Sequence, residues 1–351
     1  MRSSITVSGT YGEIALLLLF AAAAGAQKET PRMSPVANGR PAEVVYVEHR
    51  GSAARLAGVQ VESRKVEYFS QEGLVVLAAA WSPDGRRVLF DGNGSLGLVD
   101  LATREARTLI PAGWQGAPQP QWFASDGLRI AVPLAHRISI LGAGPAVDLA
   151  LEPDDEVIGL VWVGDGRGVI ALVSGAKGRF LVTFDAGRGA ILSRVPVDCE
   201  NLLGWRHGQL LATRIGAAGD VAGTLSLSGN FTAVREATGE RSEYYLQYAA
   251  GVDRLLFTNG AEHSNDPVNQ LLTDPGLSGA VPWLTRFSHV TDLAFTKNGQ
   301  WAVFIDRSRP ELSEEPGGDL YLTRTDSNDP ILLLRAEPGT VSFSKPAARP
   351  N

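Results

Sequence analysis

Cysteine is almost missing from this chain: Cys199 is the only one in 351 residues. No internal disulfide can form, so stability has to come from core and sheet, and Cys199 is expected to be a small buried apolar side chain. Histidine is scarce too. His49, His136, His207, His263 and His289 form neither H-x-x-x-H nor H-E-x-x-H, so there is no local zinc signature. The chain has no G-x-S-x-G elbow for a hydrolase serine. It also has no run of Lys and Arg, and its net charge is −6. A nucleic-acid partner, which needs clustered cations against phosphate, is therefore not expected. The longest apolar run, Ile14–Ala24, is 11 residues, against roughly 20 for a membrane span. Beyond residue 27, no stretch repeats apolar residues at three and four over a dozen positions, so helices are not expected.

The short apolar run reads as the core of a secretory signal. Arg2 supplies the positive region before it, with Glu13 as an unusual neighbour. Ala24-Gly25-Ala26 is a small-residue cleavage site, so residues 1–26 are expected to be removed and the mature chain to begin at Gln27. No cysteine follows the cleavage site, so a lipid anchor is not expected. Residues 27–41, "QKETPRMSPVANGRP", are polar and aperiodic and are expected to be a disordered leader.

What the chain has in abundance is glycine (39), proline (20) and a repeat. "AAWSPDGRRVLF" places Trp81 after an apolar run and before an Asp-Gly turn and a second apolar run. Trp122, Trp162, Trp205, Tyr248, Phe295 and Phe343 recur in similar settings, at spacings of 41, 40, 43, 43, 47 and 48 residues. A period of this size is the signature of four-stranded propeller blades. The runs "RRVLFDG", "SLGLVDLAT" and "EARTLIPA" after Trp81 are short and bounded by Gly, Asp or Asn, as strands are. Asp84-Gly85, Asp126-Gly127, Asp165-Gly166 and Asn298-Gly299 fall at equivalent places and are expected to be two-residue hairpin turns joining first strand to second. Gly92, Gly94 and Gly97 match G-x-G-x-x-G, but a strand-like run follows them rather than a helix. They are expected in a hairpin between second and third strands, with no nucleotide.

The two ends complete each other. Residues 41–71 read as second, third and fourth strands with no first strand before them, and "GTVSFSKPA" reads as a first strand with nothing after it. The expected fold is all-β: a single β-propeller over residues 42–351, with seven four-stranded blades closed by pairing of the N- and C-terminal strands, six or eight blades being the alternative. Closure of this kind removes unpaired inner edges.

"WSPDGRRVLF" at 81–90 resembles the WD40-like repeat of the TolB propeller domain and of the propellers in prolyl-oligopeptidase-like serine peptidases. The other periods keep the aromatic and often the turn, and lose the Ser-Pro. The resemblance implies the propeller fold over nearly all of the mature chain and little about activity. No counterpart of TolB's separate α/β domain or of the peptidases' hydrolase domain is expected here.

Binding is expected on the face formed by the loops entering the first strands and those joining second to third strands. The longest are "NGAEHSNDPVNQ" (259–270) and "DRSRPELSEEPGGD" (306–319), and the candidate contacts are His263, Asn265, Asp266 and Trp114 in "AGWQGAPQP". Trp283 and Trp301 are expected in packing. The sequons at Asn93 and Asn230 are read as chance matches. The expected function is an exported, monomeric, non-catalytic propeller of a bacterial envelope or its surroundings. It would bind a protein or small molecule on one face, with no cofactor, no metal and no catalytic residue assigned. The alternative is a metal-dependent hydrolase or lyase with its site at the ring axis.

Overall fold

The structure is a computed structural model. It describes residues 41–349 apart from 71–75, 93–94, 104, 111–120, 123–128, 143, 164, 218, 237–241 and 261–268. These residues form strands and short connections; the helical pieces among them are 3-10 turns at Ala250–Val252 and Pro310–Leu312. The chain opens with β1 (Glu43–Arg50), β2 (Ala53–Gln60) and β3 (Val66–Tyr68). Next come β4 (Val76–Trp81), β5 (Arg87–Gly92), β6 (Ser95–Asp100) and β7 (Ala106–Ile110), then β8 (Gln121–Trp122), β9 (Ile130–Leu134), β10 (Arg137–Leu141) and β11 (Val147–Ala150). The middle holds β12 (Glu156–Trp162), β13 (Gly168–Gly175), β14 (Gly178–Asp185), β15 (Ala190–Pro196), β16 (Asn201–Arg206), β17 (Gln209–Gly216), β18 (Gly219–Leu225) and β19 (Phe231–Glu236). The rest is β20 (Ser242–Ala249), β21 (Arg254–Gly260), β22 (Asn269–Thr273), β23 (Ala280–Pro282), β24 (Val290–Phe295), β25 (Trp301–Asp306), β26 (Asp319–Arg324), β27 (Ile331–Leu334) and β28 (Ser342–Ala348).

The strands pair as antiparallel meanders. Four-stranded sheets are β4–β7, β8–β11, β12–β15, β24–β27 and β28-β1-β2-β3. The β16–β19 and β20–β23 meanders merge into one eight-stranded sheet, but among the described residues their only shared pairing is a parallel one, Gly219 with Glu243. The closing sheet has the order expected from the two chain ends: Val44 pairs with Ala348 and His49 with Ser342. The arrangement is all-β and propeller-like.

Apolar alternation explains how the sheets stack. A strand covered on both faces reads as a continuous apolar run, its odd and even residues serving different neighbours. Val88 and Phe90 of β5 pack with Val45, Val47 and Leu56 of the closing sheet, while Leu89 between them packs with Ile130 and Val132. The same division recurs along the chain. Ile138 meets Leu160 and Trp162, Ile170 meets Leu210, and Leu211 meets Tyr245 and Phe257. Leu256 meets Phe304, and Val303 and Ile305 meet Val44 and Tyr46 back in the closing sheet. Each such side chain contributes about 1.5–3 kcal/mol on burial. Outer strands lack the second covering layer, and β7, β15, β19 and β23 are correspondingly exposed.

The recurring aromatic has a specific role. Trp81, Trp122, Trp162, Trp205, Tyr248 and Phe295 all stand at or near the end of a first strand. The Trp205 indole N–H donates to the Trp162 carbonyl at 2.6 Å, and that of Trp81 to the Ala347 carbonyl at 2.9 Å, so each bonds the first strand of the sheet before it. Ala347 therefore occupies the equivalent place in β28. Phe343 does not: it lies near the other end of that strand, against Tyr46 with ring centres 5.3 Å apart. The expected seventh anchor is corrected on that point.

The Asp84-Gly85, Asp165-Gly166 and Asn298-Gly299 turns are also longer than two residues, while Asp126-Gly127 lies outside the described residues. Ser82 N–H donates to the Arg87 carbonyl and Gly85 N–H to the Ser82 carbonyl. Only the glycine takes positive φ, +65° at Gly85, +70° at Gly166 and +67° at Gly299. The residue before it works through its side chain: Asp84 accepts from Arg86 N–H and Ser82 Oγ, and Asn298 from Gln300 N–H and Thr296 Oγ1. Asp and Asn are there as side-chain caps of the turn. Gly97, the last glycine of the nucleotide-like match, lies in β6, where a Cβ would overlap the Phe90 ring.

Candidate functional site

Trp114, His263, Asn265 and Asp266 lie outside the described residues, as does most of the 259–270 loop. The 306–319 loop is described, and internal contacts use much of it. Gly318 and Phe343 exchange backbone hydrogen bonds of 2.8 and 3.1 Å, an isolated bridge onto β28. Leu312 is fully buried, Arg309 reaches Asp319 at 3.0 Å and the Ala336 carbonyl at 2.7 Å, and Glu315 accepts from Gly339 N–H at 2.6 Å. A loop whose length suggested ligand contact thus clasps the closing strand. Trp283 and Trp301 are buried, and the Trp283 indole N–H donates to the Ser327 carbonyl. Cys199 is buried as expected, and burial pushes its thiol up to about 12, which keeps it protonated and unreactive at neutral pH.

First strands of neighbouring sheets lie side by side: β24 on β28, β28 on β4, β8 on β12, β12 on β16 and β16 on β20. Several carry a β-bulge; the register shifts beside Ile158 in β12, Leu203 in β16 and Leu246 in β20, and in β24 across Asp292 and Leu293. The first strands are the inner edge of the sheets, and the residues at the bulges of β12, β16 and β20 are aliphatic Ile158 and Leu203, which also pack against the core clusters, and Leu246, which is half exposed. Two charges on first strands answer each other. The Lys345 ammonium meets Asp292 at 2.5 Å, both residues holding left-handed backbone (φ +48° and +46°). Nearby, His49 Nε2 and Ser344 Oγ are 2.7 Å apart. Burial lowers the His49 pKa, and the Asp292 charge acts the other way. Among the described residues, no group of three or more His, Cys, Asp or Glu is placed to hold a metal ion.

A second place has different chemistry. It is on the face that carries the first-to-second and third-to-fourth turns, between the β20–β23 meander and the β24–β27 sheet. A cleft of about 560 Å³ there is lined by Val252, Arg254, Pro275, Gln300, Arg324, Thr325 and Asp326. Arg254 donates one Nη1 hydrogen bond to the Thr325 carbonyl at 2.9 Å. Its two acidic neighbours are held by other guanidinium groups. Arg206 grips Asp253 through Nε and Nη2 at 2.8 and 3.0 Å, with the Tyr248 hydroxyl adding a bond at 2.7 Å. These bonds, Arg206 first, hold the Asp253 carboxyl down to about 2 against the opposing effect of burial. Arg324 grips Asp326 through Nε and Nη2 at 2.7 and 2.6 Å and lowers its pKa. None of these residues stood out in the sequence. "GVDRLLF" and "YLTRTDSND" carry ordinary turn charges, and only the juxtaposition of two sheets makes them one site.

No family model matches the chain, and no curated protein matches it. Solved structures do. TolB from Acinetobacter baumannii is 14% identical with a TM-score of 0.51, over 88% of this chain and 67% of that one. Oligogalacturonate lyase from Vibrio parahaemolyticus is 9% identical with a TM-score of 0.57, over 86% of this chain and 90% of that one. Prolyl oligopeptidase B from Galerina marginata is 11% identical with a TM-score of 0.62, over 86% of this chain and 49% of that one. At such identities the likeness is one of fold: this chain is structurally similar to TolB-like β-propeller proteins.

Proposed function

We propose that the sheets are the blades of a single seven-bladed propeller and that the chain is an exported, non-catalytic propeller that binds a protein or small-molecule partner. The count takes the eight-stranded sheet as two blades, because one bridge pair joins its halves. The apolar clusters that lead from sheet to sheet and return to the closing sheet support a ring. The observation that carries the binding reading is the inner edge. A hydrolase or lyase working at a ring axis needs several carboxylate, amide or imidazole groups converging there. Here Ile158, Leu203 and Leu246 occupy bulge positions, and Asp292 is neutralised by Lys345. Likeness to TolB in fold supports a propeller working as a scaffold, and the signal-like N-terminus supports export. His263, Asn265, Asp266 and Trp114 are the proposed contacts on the loop face.

Photo-cross-linking in cells from positions on each face tests this. The expected result is a discrete adduct from one face, formed by an exported protein whose N-terminus is Gln27 by mass spectrometry. Titration with Ca²⁺, Mn²⁺ and Zn²⁺ is expected to leave the melting temperature unchanged. A saturable rise that Asp292→Asn abolishes would overturn the non-catalytic reading in favour of a metal-dependent hydrolase or lyase. No helix among the described residues is long and apolar enough to cross a membrane.

A further inference from the structure

The cleft around Arg254 is a place where cationic chemistry is left over. A guanidinium has five donors in a fixed fork, and Arg254 uses one of them, on the Thr325 carbonyl. Among the described residues it forms no ion pair. The two carboxylates beside it, Asp253 and Asp326, are each held in two-pronged geometry by Arg206 and Arg324. Asp274, which follows β22 on the strand neighbouring Arg254, makes no ion pair with it either. The surplus charge is partly buried and opens on the cleft, so its remaining donors are screened less than those of a fully exposed arginine. The planar fork matches a carboxylate.

The surrounding residues narrow the ligand further. Gln300 is exposed at the rim and its side chain makes no hydrogen bond among the described residues, so its amide offers a donor and an acceptor together. That combination matches a peptide group and not a phosphate, which at neutral pH mainly accepts. Val252 and Pro275 give the cleft apolar surface for aliphatic atoms. The volume falls within the few-hundred-Å³ range of ordinary ligand sites.

We propose that this cleft, on the turn face between the β20–β23 meander and the β24–β27 sheet, docks an acidic peptide segment. Arg254 takes a side-chain carboxylate and Gln300 the adjoining peptide group. The proposal rests on the reading of this protein as a binding propeller and gives that reading a second surface, away from the loops that carry His263 and Asp266.

The test is an NMR titration of the full protein with a blocked hexapeptide carrying one glutamate among alanines and leucines, beside its glutamine twin and inorganic phosphate. The expected result is a saturable shift of the Arg254 Nε–H and Gln300 side-chain amide signals in the millimolar range or below. The glutamine twin should bind at least about ten-fold more weakly, as should Arg254→Gln with the glutamate peptide, in keeping with loss of a charge-assisted pair. Arg254→Gln also loses the tie to Thr325, so Gln300→Ala, an exposed position with no bond to lose, provides a second variant; it should weaken binding about three-fold. Equal binding of the glutamine twin, tighter binding of phosphate, binding unaffected by both variants, or no saturable shift would each overturn the proposal. Cross-links formed from the loop face are independent of these outcomes, so the two readings fail separately.

Discussion

Two first-to-second strand pairs have nearly the same geometry and very different connections. β12 and β13 pair from Glu156 with Ser174 to Trp162 with Val169, around a short turn. β28 and β1 pair from Ala348 with Val44 to Ser342 with His49, also with one bulge, but the bonded side chains of His49 and Ser344 are 295 residues apart in sequence. Closing a loop that long rather than a hairpin costs about 3–4 kcal/mol more in chain entropy on a logarithmic length law. The closing strand is secured from both neighbours instead. Gly318 bridges to Phe343, Asp292 holds Lys345, Trp81 bonds the Ala347 carbonyl, and Arg349 N–H bonds the Glu43 carbonyl. Where a hairpin is missing, side chains and a borrowed loop do its work.

The comparison can be broken most severely by deleting residues 339–351, which removes β28. Loss of more than about 5 kcal/mol, a large share of the stability of a typical domain, is expected. Thermal melting would show it, and a truncated chain that melts with the intact one would sink the closure scheme. Next is Gly318→Ala. A Cβ there would overlap the Asp306 carbonyl, and one on Gly317 the Phe343 carbonyl. Backbone cannot yield cheaply, so a cost of about 2–4 kcal/mol in urea titration is expected, against within about 0.5 kcal/mol for Gly144→Ala, which meets nothing.

Trp81→Phe and Trp205→Phe sharpen the comparison, because both remove an indole donor while leaving an aromatic. Each should cost about 1–3 kcal/mol, the lost bond plus an unsatisfied carbonyl. The Trp81 variant should also speed unfolding more if the closing joint opens first.

The smallest effect expected is on pH dependence. Burial, opposed by Arg349 and helped by Glu67, pushes Glu43 up to about 7 in the folded protein from an ordinary value of 4.5. The folded state then holds the proton more tightly than the unfolded one, so this stabilisation is present below pH 4.5 and is lost as pH rises through about 7. Glu43→Gln should flatten the fall in melting temperature between pH 5 and 8. An unchanged slope would show that Glu43 does not carry it.

Much of this was legible in the amino-acid order. Strand runs, turn glycines and the split closing sheet announce themselves locally: each is a matter of near neighbours, where apolar continuity and the φ of a glycine decide. Phe343 shows the limit. It looked like a seventh anchor because it is an aromatic at about the right spacing, but what the position requires is a carbonyl for Trp81, and a carbonyl leaves no mark on residue type. The 306–319 loop shows another. Its length and polarity read as a binding loop, and nothing in "EEPGGD" says that the two glycines lie against β28.

By itself, then, the sequence determined an all-β chain of short repeated strands, with a one-cysteine core and ends that complete one sheet. Those properties follow from apolar pattern and backbone preference over a few residues. Only the tertiary structure decided which charges are spent and which are left over. Arg254 stands beside Asp253 and Arg324 two residues from Asp326, whereas Arg206 has no aspartate close to it in sequence. Folding hands Asp253 to Arg206 and Asp326 to Arg324, and leaves Arg254 with a carbonyl and a cleft. Ion pairing depends on distances of a few ångströms, and for a pair as far apart in sequence as Arg206 and Asp253 those distances are set by how one sheet is laid on the next.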